Sequence, residues 1–119
     1  MITQVKFVSI PVKDQDRALE FYTKKLGFKV ATDQPFGEGM RWIEVKIGGA
    51  ETKVVLFSPP GQEPGGFSPV VWQSDNVQKT YDELKGRGVE FTQEPKSEPW
   101  GTSAMFRDSE GNIMLISSK

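Results

Sequence analysis

Residues 12–28, VKDQDRALEFYTKKLGF, decide the fold because they contain an amphipathic helix with both a start and a stop signal. Asp14 is a residue type that caps helix N-termini, and the apolar residues after it recur at helical spacing. Gly27 stands where helices commonly end in a left-handed residue. The same pattern returns about 60 residues later, with Asn76 as the cap and Gly88 as the stop. This repeat predicts an internal duplication.

Alternation of apolar and polar residues predicts strands around each helix. In the first half the predicted strands are 5–12, 28–31, 41–47 and 53–57. In the second half they are 70–73, 89–91, 103–107 and 112–117. Between them, residues 58–69 contain four Pro and three Gly, which is typical of a connector. The order predicts an α+β fold made of two βαβββ modules, about 1–57 and 70–119.

Composition excludes several kinds of chemistry. The 119 residues include no Cys and no His, so disulfides, thiolate zinc sites, imidazole-ligated metals and Ser-His-Asp hydrolysis are all ruled out. A formal charge of −1 without basic clusters favours no nucleic-acid partner. No stretch approaches the ~20 apolar residues of a membrane span, and the N-terminal residues do not resemble a signal peptide. We therefore expect a cytoplasmic protein with no membrane or nucleic-acid partner.

Several short motifs resemble the vicinal oxygen chelate superfamily, which includes glyoxalase I, bleomycin-resistance proteins and extradiol dioxygenases. The motifs are Val12-Lys13-Asp14, Leu26-Gly27-Phe28, Trp100-Gly101 and the turn 108–112, where Ser109 stands in place of the family's usual Pro. The resemblance covers nearly all of the chain. It implies one domain, 1–119, in which the two modules form a curved eight-stranded mixed sheet around a central cavity, with the helices outside.

The metal-binding positions of that superfamily carry no ligands in this chain. Four strand positions that supply His, Glu or Gln to a divalent ion in the metal-dependent members correspond here to Phe7, Val55, Pro69 and Leu115. None of these side chains has a donor atom for such a cation. The resemblance therefore implies the metal-free, bleomycin-resistance-like branch, with no metal, no cofactor and no catalytic residue assigned.

The face of each strand that turns away from its helix is expected to line the cavity. The predicted ligand-binding residues on that face and on the loop before the seventh strand are Trp42, Glu44, Phe57, Gln73, Trp100, Ser103, Met105, Phe7 and Leu115. Aromatic rings there suit a planar ligand, and Glu44 suits a cationic or hydrogen-donating one. Other interpretations stay open: Trp42 and Phe57 as core or dimer interface, Glu44 as a solvated strand residue, and Phe7 and Leu115 as fillers of the vacated metal space. Loop 32–39 is a candidate lid.

Three functions fit these patterns. The first is a metal-free protein that binds a small, aromatic molecule such as an antibiotic or a toxic metabolite. The second is an enzyme of the same superfamily, of lyase, isomerase or transferase type, with metal-independent chemistry in which Glu44 is the one plausible base. The third is an interaction module with a filled cavity. In each case the resemblance implies a homodimer.

Overall fold

A computed structural model describes residues 1–37, 39–59 and 61–119. The chain divides into two compact units, Met1–Pro64 and Gly65–Lys119. The predicted lid 32–39 and connector 58–69 each include one residue outside the described part, Glu38 and Pro60. No helix within the described part is long and apolar enough to cross a membrane.

The first unit contains a four-stranded mixed sheet and one short helix. Its elements are β1 (Phe7–Ile10), α1 (Gln15–Glu20) followed by a π-helical turn (Phe21–Lys25), β2 (Lys29–Pro35), β3 (Arg41–Lys46) and β4 (Lys53–Leu56). The strand order is β1-β4-β3-β2. Strands β1 and β4 run parallel, and the remaining pairs are antiparallel.

The second unit repeats this arrangement. Its elements are β5 (Phe67–Ser74), α2 (Val77–Gly86), β6 (Phe91–Glu98), β7 (Gly101–Arg107) and β8 (Ile113–Ser118). The order β5-β8-β7-β6 and the parallel β5–β8 pair match the first unit strand for strand. The predicted α+β fold with two βαβββ repeats is therefore confirmed, and the eight strands are divided between two mixed sheets of four.

The predicted helix ends are confirmed in both units. The side chain of Asp14 accepts a hydrogen bond from the Arg17 backbone N–H at 3.1 Å, and that of Asn76 accepts one from the Lys79 N–H at 3.0 Å. Gly27 has φ +80° and so takes the left-handed conformation expected of a helix stop. Both helices thus begin and end where local sequence signals place them.

The last turn of the first helix differs from a regular α-helix. The backbone N–H of Leu26 donates to the carbonyl of Phe21, five residues earlier, which is the spacing of a π-helix. The hydroxyl of Thr23 donates to the carbonyl of Leu19 at 2.6 Å and so competes with the backbone for that acceptor. The sequence prediction of one continuous α-helix missed this turn.

Strand lengths in the structure correct three predictions. Strand β2 extends to Pro35, so residues 32–35 belong to the sheet and not to a lid loop. Strand β5 begins at Phe67, inside the predicted connector. Strand β6 begins at Phe91 and extends to Glu98, beyond the predicted 89–91. Both β2 and β6 are edge strands, where Pro can be accommodated because one side of the strand needs no hydrogen bonds.

The turn between β7 and β8 is held by a buried polar network. The Oδ1 of Asp108 accepts from the backbone N–H groups of Glu110 and Asn112, both at 2.9 Å. The Nδ2 of Asn112 donates to Asp108 Oδ2 at 3.0 Å, and its Oδ1 accepts from the Gly65 N–H at 2.9 Å. Gly111 has φ +82°, which favours glycine there. These residues of the family-like turn therefore serve the fold of the second unit.

We expect Asn112→Ala to lower the free energy of unfolding by about 1–3 kcal/mol, because it leaves the buried Asp108 carboxylate and the Gly65 N–H each short of a partner. Urea unfolding followed by far-UV circular dichroism measures the change. Ser109→Ala is the matched control, since it removes only the bond from the Ser109 hydroxyl to Glu110. Equal effects of the two substitutions would contradict this role for the network.

Candidate functional site

Four aromatic rings meet in the first unit and form what we call the aromatic cluster: Phe7, Phe36, Trp42 and Phe57. Trp42 lies 5.4 Å from Phe7, 5.6 Å from Phe36 and 5.7 Å from Phe57, measured between ring centroids. Phe36 and Phe57 are 5.5 Å apart with ring planes at 89°. Edge-to-face and tilted contacts at these distances are favourable for aromatic pairs. Trp42 is the centre of the cluster.

Strand alternation explains why this cluster lies apart from the helix. On β3, Ile43 and Val45 are fully buried in the core, whereas Trp42 and Glu44 point to the opposite face and stay half-buried. Phe7 belongs to β1, while Phe36 and Phe57 directly follow β2 and β4. The sequence prediction that Trp42, Phe57 and Phe7 share a face is therefore matched by direct ring contacts.

Glu44 lies next to the cluster and is hydrogen-bonded to one of its rings. The indole Nε1–H of Trp42 donates to Glu44 Oε2 at 2.7 Å, a short bond of the charge-assisted kind. Across the sheet Glu44 pairs with Val55, which is fully buried, and with Thr32. Among the described residues no Lys or Arg nitrogen lies within 4.0 Å of its carboxylate. Among the residues that the structure describes, Glu44 is thus an acceptor with one side-chain partner, Trp42.

Other predicted ligand-binding residues lie in the second unit, on one face of its sheet. Met105 pairs with Leu115, and both Gln73 and Ser103 pair with Ser117, so all four predicted residues share a face. Leu115, Met105 and Ser103 are half-buried, and Gln73 is exposed. The predicted residues therefore form two sets, one within the first unit and one within the second.

Trp100 is placed differently from these residues. It lies in the tight turn between β6 and β7, and 81% of its surface is exposed. No ring contact involves it within the described part of the chain. Its predicted role in ligand binding stays a prediction.

The residues at the superfamily's metal positions do not fit a metal ion. Phe7 is part of the aromatic cluster, Val55 is fully buried, Pro69 lies exposed on β5, and Leu115 packs beside Met105. None of these side chains offers an oxygen, nitrogen or sulfur donor. Within residues 1–37, 39–59 and 61–119, no three His, Cys, Asp or Glu side chains are grouped so that they could hold one.

A separate, polar cavity of about 560 Å³ lies at the start of α1, lined in part by Lys13, Gln15 and Arg41. The guanidinium of Arg41 bonds to Asp33 at 3.0 and 3.1 Å and also to Asp16. The Arg41 hydrogen bond lowers the pKa of Asp33, and the two carboxylates raise the pKa of Arg41 above its usual range. Sequence analysis missed this cavity. Arg41, which lines this cavity, thus ties α1 to β2 through these two carboxylates.

Phe36 is the member of the aromatic cluster that sequence analysis did not assign to the site. Gln34 pairs with Trp42, and Pro35 pairs with Arg41. Phe36, which follows β2, therefore lies beside the Trp42 ring. Phe36 could have been assigned to the site from the sequence only if β2 had been predicted to extend to Pro35. The shorter predicted strand left Phe36 in a loop.

Comparison with known proteins gives the same fold and identifies the family. The family model described as Glyoxalase/Bleomycin resistance protein/Dioxygenase superfamily matches residues 4–115. The chain belongs to this superfamily.

Two solved structures and one sequence relative are similar over nearly their whole length. TnmS3, an antibiotic binding protein from Streptomyces sp. CB03234, is 37% identical with a TM-score of 0.89, covering 98% of this chain and 96% of its own. A superfamily member from Sphaerobacter thermophilus DSM 20745 is 33% identical with a TM-score of 0.91, covering 99% and 98%. The uncharacterized protein YetH of Bacillus subtilis (strain 168) is 38% identical, covering 98% of both chains.

We expect the Phe36 and Phe57 rings to be energetically coupled by about 0.5–1.5 kcal/mol, because they meet edge to face. A double-mutant cycle of Phe36→Leu and Phe57→Leu in urea unfolding measures this coupling. Phe36→Leu combined with Phe21→Leu, whose ring is on the helix against Tyr22, should be additive. Additivity in both cycles would show that the cluster does not form in solution.

Proposed function

We propose that this protein binds a planar aromatic small molecule at the aromatic cluster and holds it without changing it chemically. The observation that carries the proposal is the four-ring cluster on the sheet face turned away from the helix. Phe7 and Phe36 keep 36% and 50% of their surface exposed, so ring surface is available to a ligand. Large aromatic side chains left exposed together are typical of binding sites.

A relative supports the class of ligand. TnmS3, which matches this chain at 37% identity over nearly its full length, is an antibiotic binding protein. Antibiotics with fused planar rings offer the extended π surface that Trp42, Phe36 and Phe57 complement. Stacking of one base-sized ring on an aromatic side chain contributes about 1–3 kcal/mol. We expect micromolar affinity for a compound with two or three fused rings.

Binding without reaction is favoured over catalysis by what surrounds Glu44. The side-chain partner of Glu44 among the described residues is an indole N–H, which does not ionise at ordinary pH. General acid–base catalysis usually pairs a base with a separate acid or with an activated electrophile. In the described part of the chain, no Lys or Arg nitrogen lies within 4.0 Å of the Glu44 carboxylate, and no side chain other than Trp42 is hydrogen-bonded to it.

We expect Trp42→Leu to weaken binding of neutral acridine at least about tenfold, since it removes the ring at the centre of the cluster. Isothermal titration calorimetry at pH 8 measures the affinity. Trp72→Phe is the matched control, because Trp72 pairs with the buried core residue Ile116 on the other sheet face and bonds to Met114. Unchanged binding by Trp42→Leu would show that the aromatic cluster is not the binding site. Chemical conversion of the ligand would favour the enzyme alternative over binding without reaction.

We infer that function requires no metal, and we expect under about a tenth of an equivalent of bound metal in untagged protein, because the four family positions offer no donor atoms. The protein is incubated with Ni, Zn, Mn, Fe(II) or Mg, desalted, and assayed by elemental analysis. A histidine tag would spoil the measurement, so it is omitted. Stoichiometric metal would overturn the inference and give precedence to the enzyme alternative.

We also infer a homodimer, supported by an apolar strand surface in the second unit. On β5, Phe67 and Val71 are 64% and 53% exposed, which is unusual for large apolar residues. Size-exclusion chromatography with light scattering should give a mass of two chains for the wild type. Val71→Asp should shift the mass to one chain, whereas Val30→Asp, an exposed site on β2, should not. A monomeric wild type would overturn the inference.

A further inference from the structure

The carboxylate of Glu44 has more acceptor capacity than the described residues use. An ionised carboxylate offers about four acceptor positions, and Trp42 Nε1–H fills one of them at 2.7 Å. Glu44 is half-buried on the face that carries the aromatic cluster, so part of its hydration is lost. A carboxylate in such a place is stabilised by a positive charge or by further donors.

The basic residues near Glu44 do not supply that charge. Arg41 is committed to Asp33 and Asp16 and bonds to neither oxygen of Glu44. Lys46 lies two residues along β3 on the same face and is exposed, and Lys53 lies two residues from Val55 on β4. Within the described residues, neither lysine reaches the Glu44 carboxylate to within 4.0 Å. Within the described residues the Glu44 carboxylate therefore has no ion-pair partner beside the cluster.

The aromatic rings add to this preference. Each ring carries negative potential on its face and positive potential at its edge, so a face directed at a ligand attracts cations. A ligand on the cluster would meet ring faces and the Glu44 carboxylate together. Both favour a positively charged ring system and disfavour an anionic one.

We propose that Glu44 makes this site selective for aromatic ligands that carry a cationic or N–H-donating group, and that the Trp42 indole positions its carboxylate. The inference rests on the proposed binding function and names the ligand class within it. The ligand stacks on the aromatic cluster while its cationic group bonds to the free oxygen of Glu44. Charge-assisted hydrogen bonds of this kind are about twice as strong as neutral ones.

Three acridines with one ring skeleton and different charges test the proposal at pH 8: 9-aminoacridine, a cation; acridine, which is neutral; and acridine-9-carboxylate, an anion. Calorimetric titration of the wild-type protein should give a preference of about 10- to 100-fold for the cation over the neutral compound. The anion should bind more weakly than either. Raising the salt concentration should reduce the preference.

Glu44→Gln should reduce the ratio of the cation's affinity to that of neutral acridine to about one, since the amide removes the negative charge while its oxygen still accepts from the Trp42 indole. Glu51→Gln is the matched control: it removes the same charge from an exposed residue between β3 and β4 and should leave the preference intact. Trp42→Phe keeps a ring but loses the indole N–H. As a test of positioning, it should lower the cation preference more than the affinity for neutral acridine.

The outcomes separate this inference from the proposed function. If the wild type binds all three acridines equally, or if Glu44→Gln weakens all three equally, charge selectivity by Glu44 is wrong and the binding function stands. If the wild type binds none of them while folded by circular dichroism, the proposed function fails and the inference with it. If Glu44→Gln does not fold, the inference is tested by comparing the cation preference of Trp42→Phe with that of the wild type.

Discussion

One constraint organises each unit: a single short helix can cover only one face of a four-stranded sheet. The period-two alternation of strands then divides every strand between two environments. On β3 this assigns Ile43 and Val45 to the fully buried core and leaves Trp42 and Glu44 on the uncovered face. The aromatic cluster and its carboxylate are a direct consequence, because the residues that the helix cannot cover are the ones free to serve a ligand.

Local signals were sufficient to predict the order of elements and the sheet face that several residues of the aromatic cluster share. Caps such as Asp14 and stops such as Gly27 act over three or four residues, so they can be recognised without tertiary information. The shared face of Trp42 and Glu44 also follows from their spacing of two residues along one strand. These inferences depend on local backbone geometry, so they do not require knowledge of which residues are neighbours in the folded protein.

What sequence analysis missed depends on partners distant in the chain. Strand β2 extends to Pro35 because β3 pairs with it over its whole length, and Pro35 is accommodated at a sheet edge. The same pairing brings Phe36 beside Trp42. Likewise, the π-helical turn depends on the hydrogen bond from the Thr23 hydroxyl to the Leu19 carbonyl. Cross-strand register and side-chain competition of this kind leave only weak traces in composition or periodicity.

The superfamily fold does not itself define a reaction, and this chain illustrates why. The metal-dependent members stabilise developing negative charge on substrate oxygens with a cation. Here Phe7 at one of those positions packs against Trp42, and the nearby fixed charge is the negative one of Glu44. A site with that polarity would oppose the build-up of an oxyanion and would stabilise a positive charge already present on a ligand. The inversion of charge at the site thus argues for retention of a ligand over its conversion.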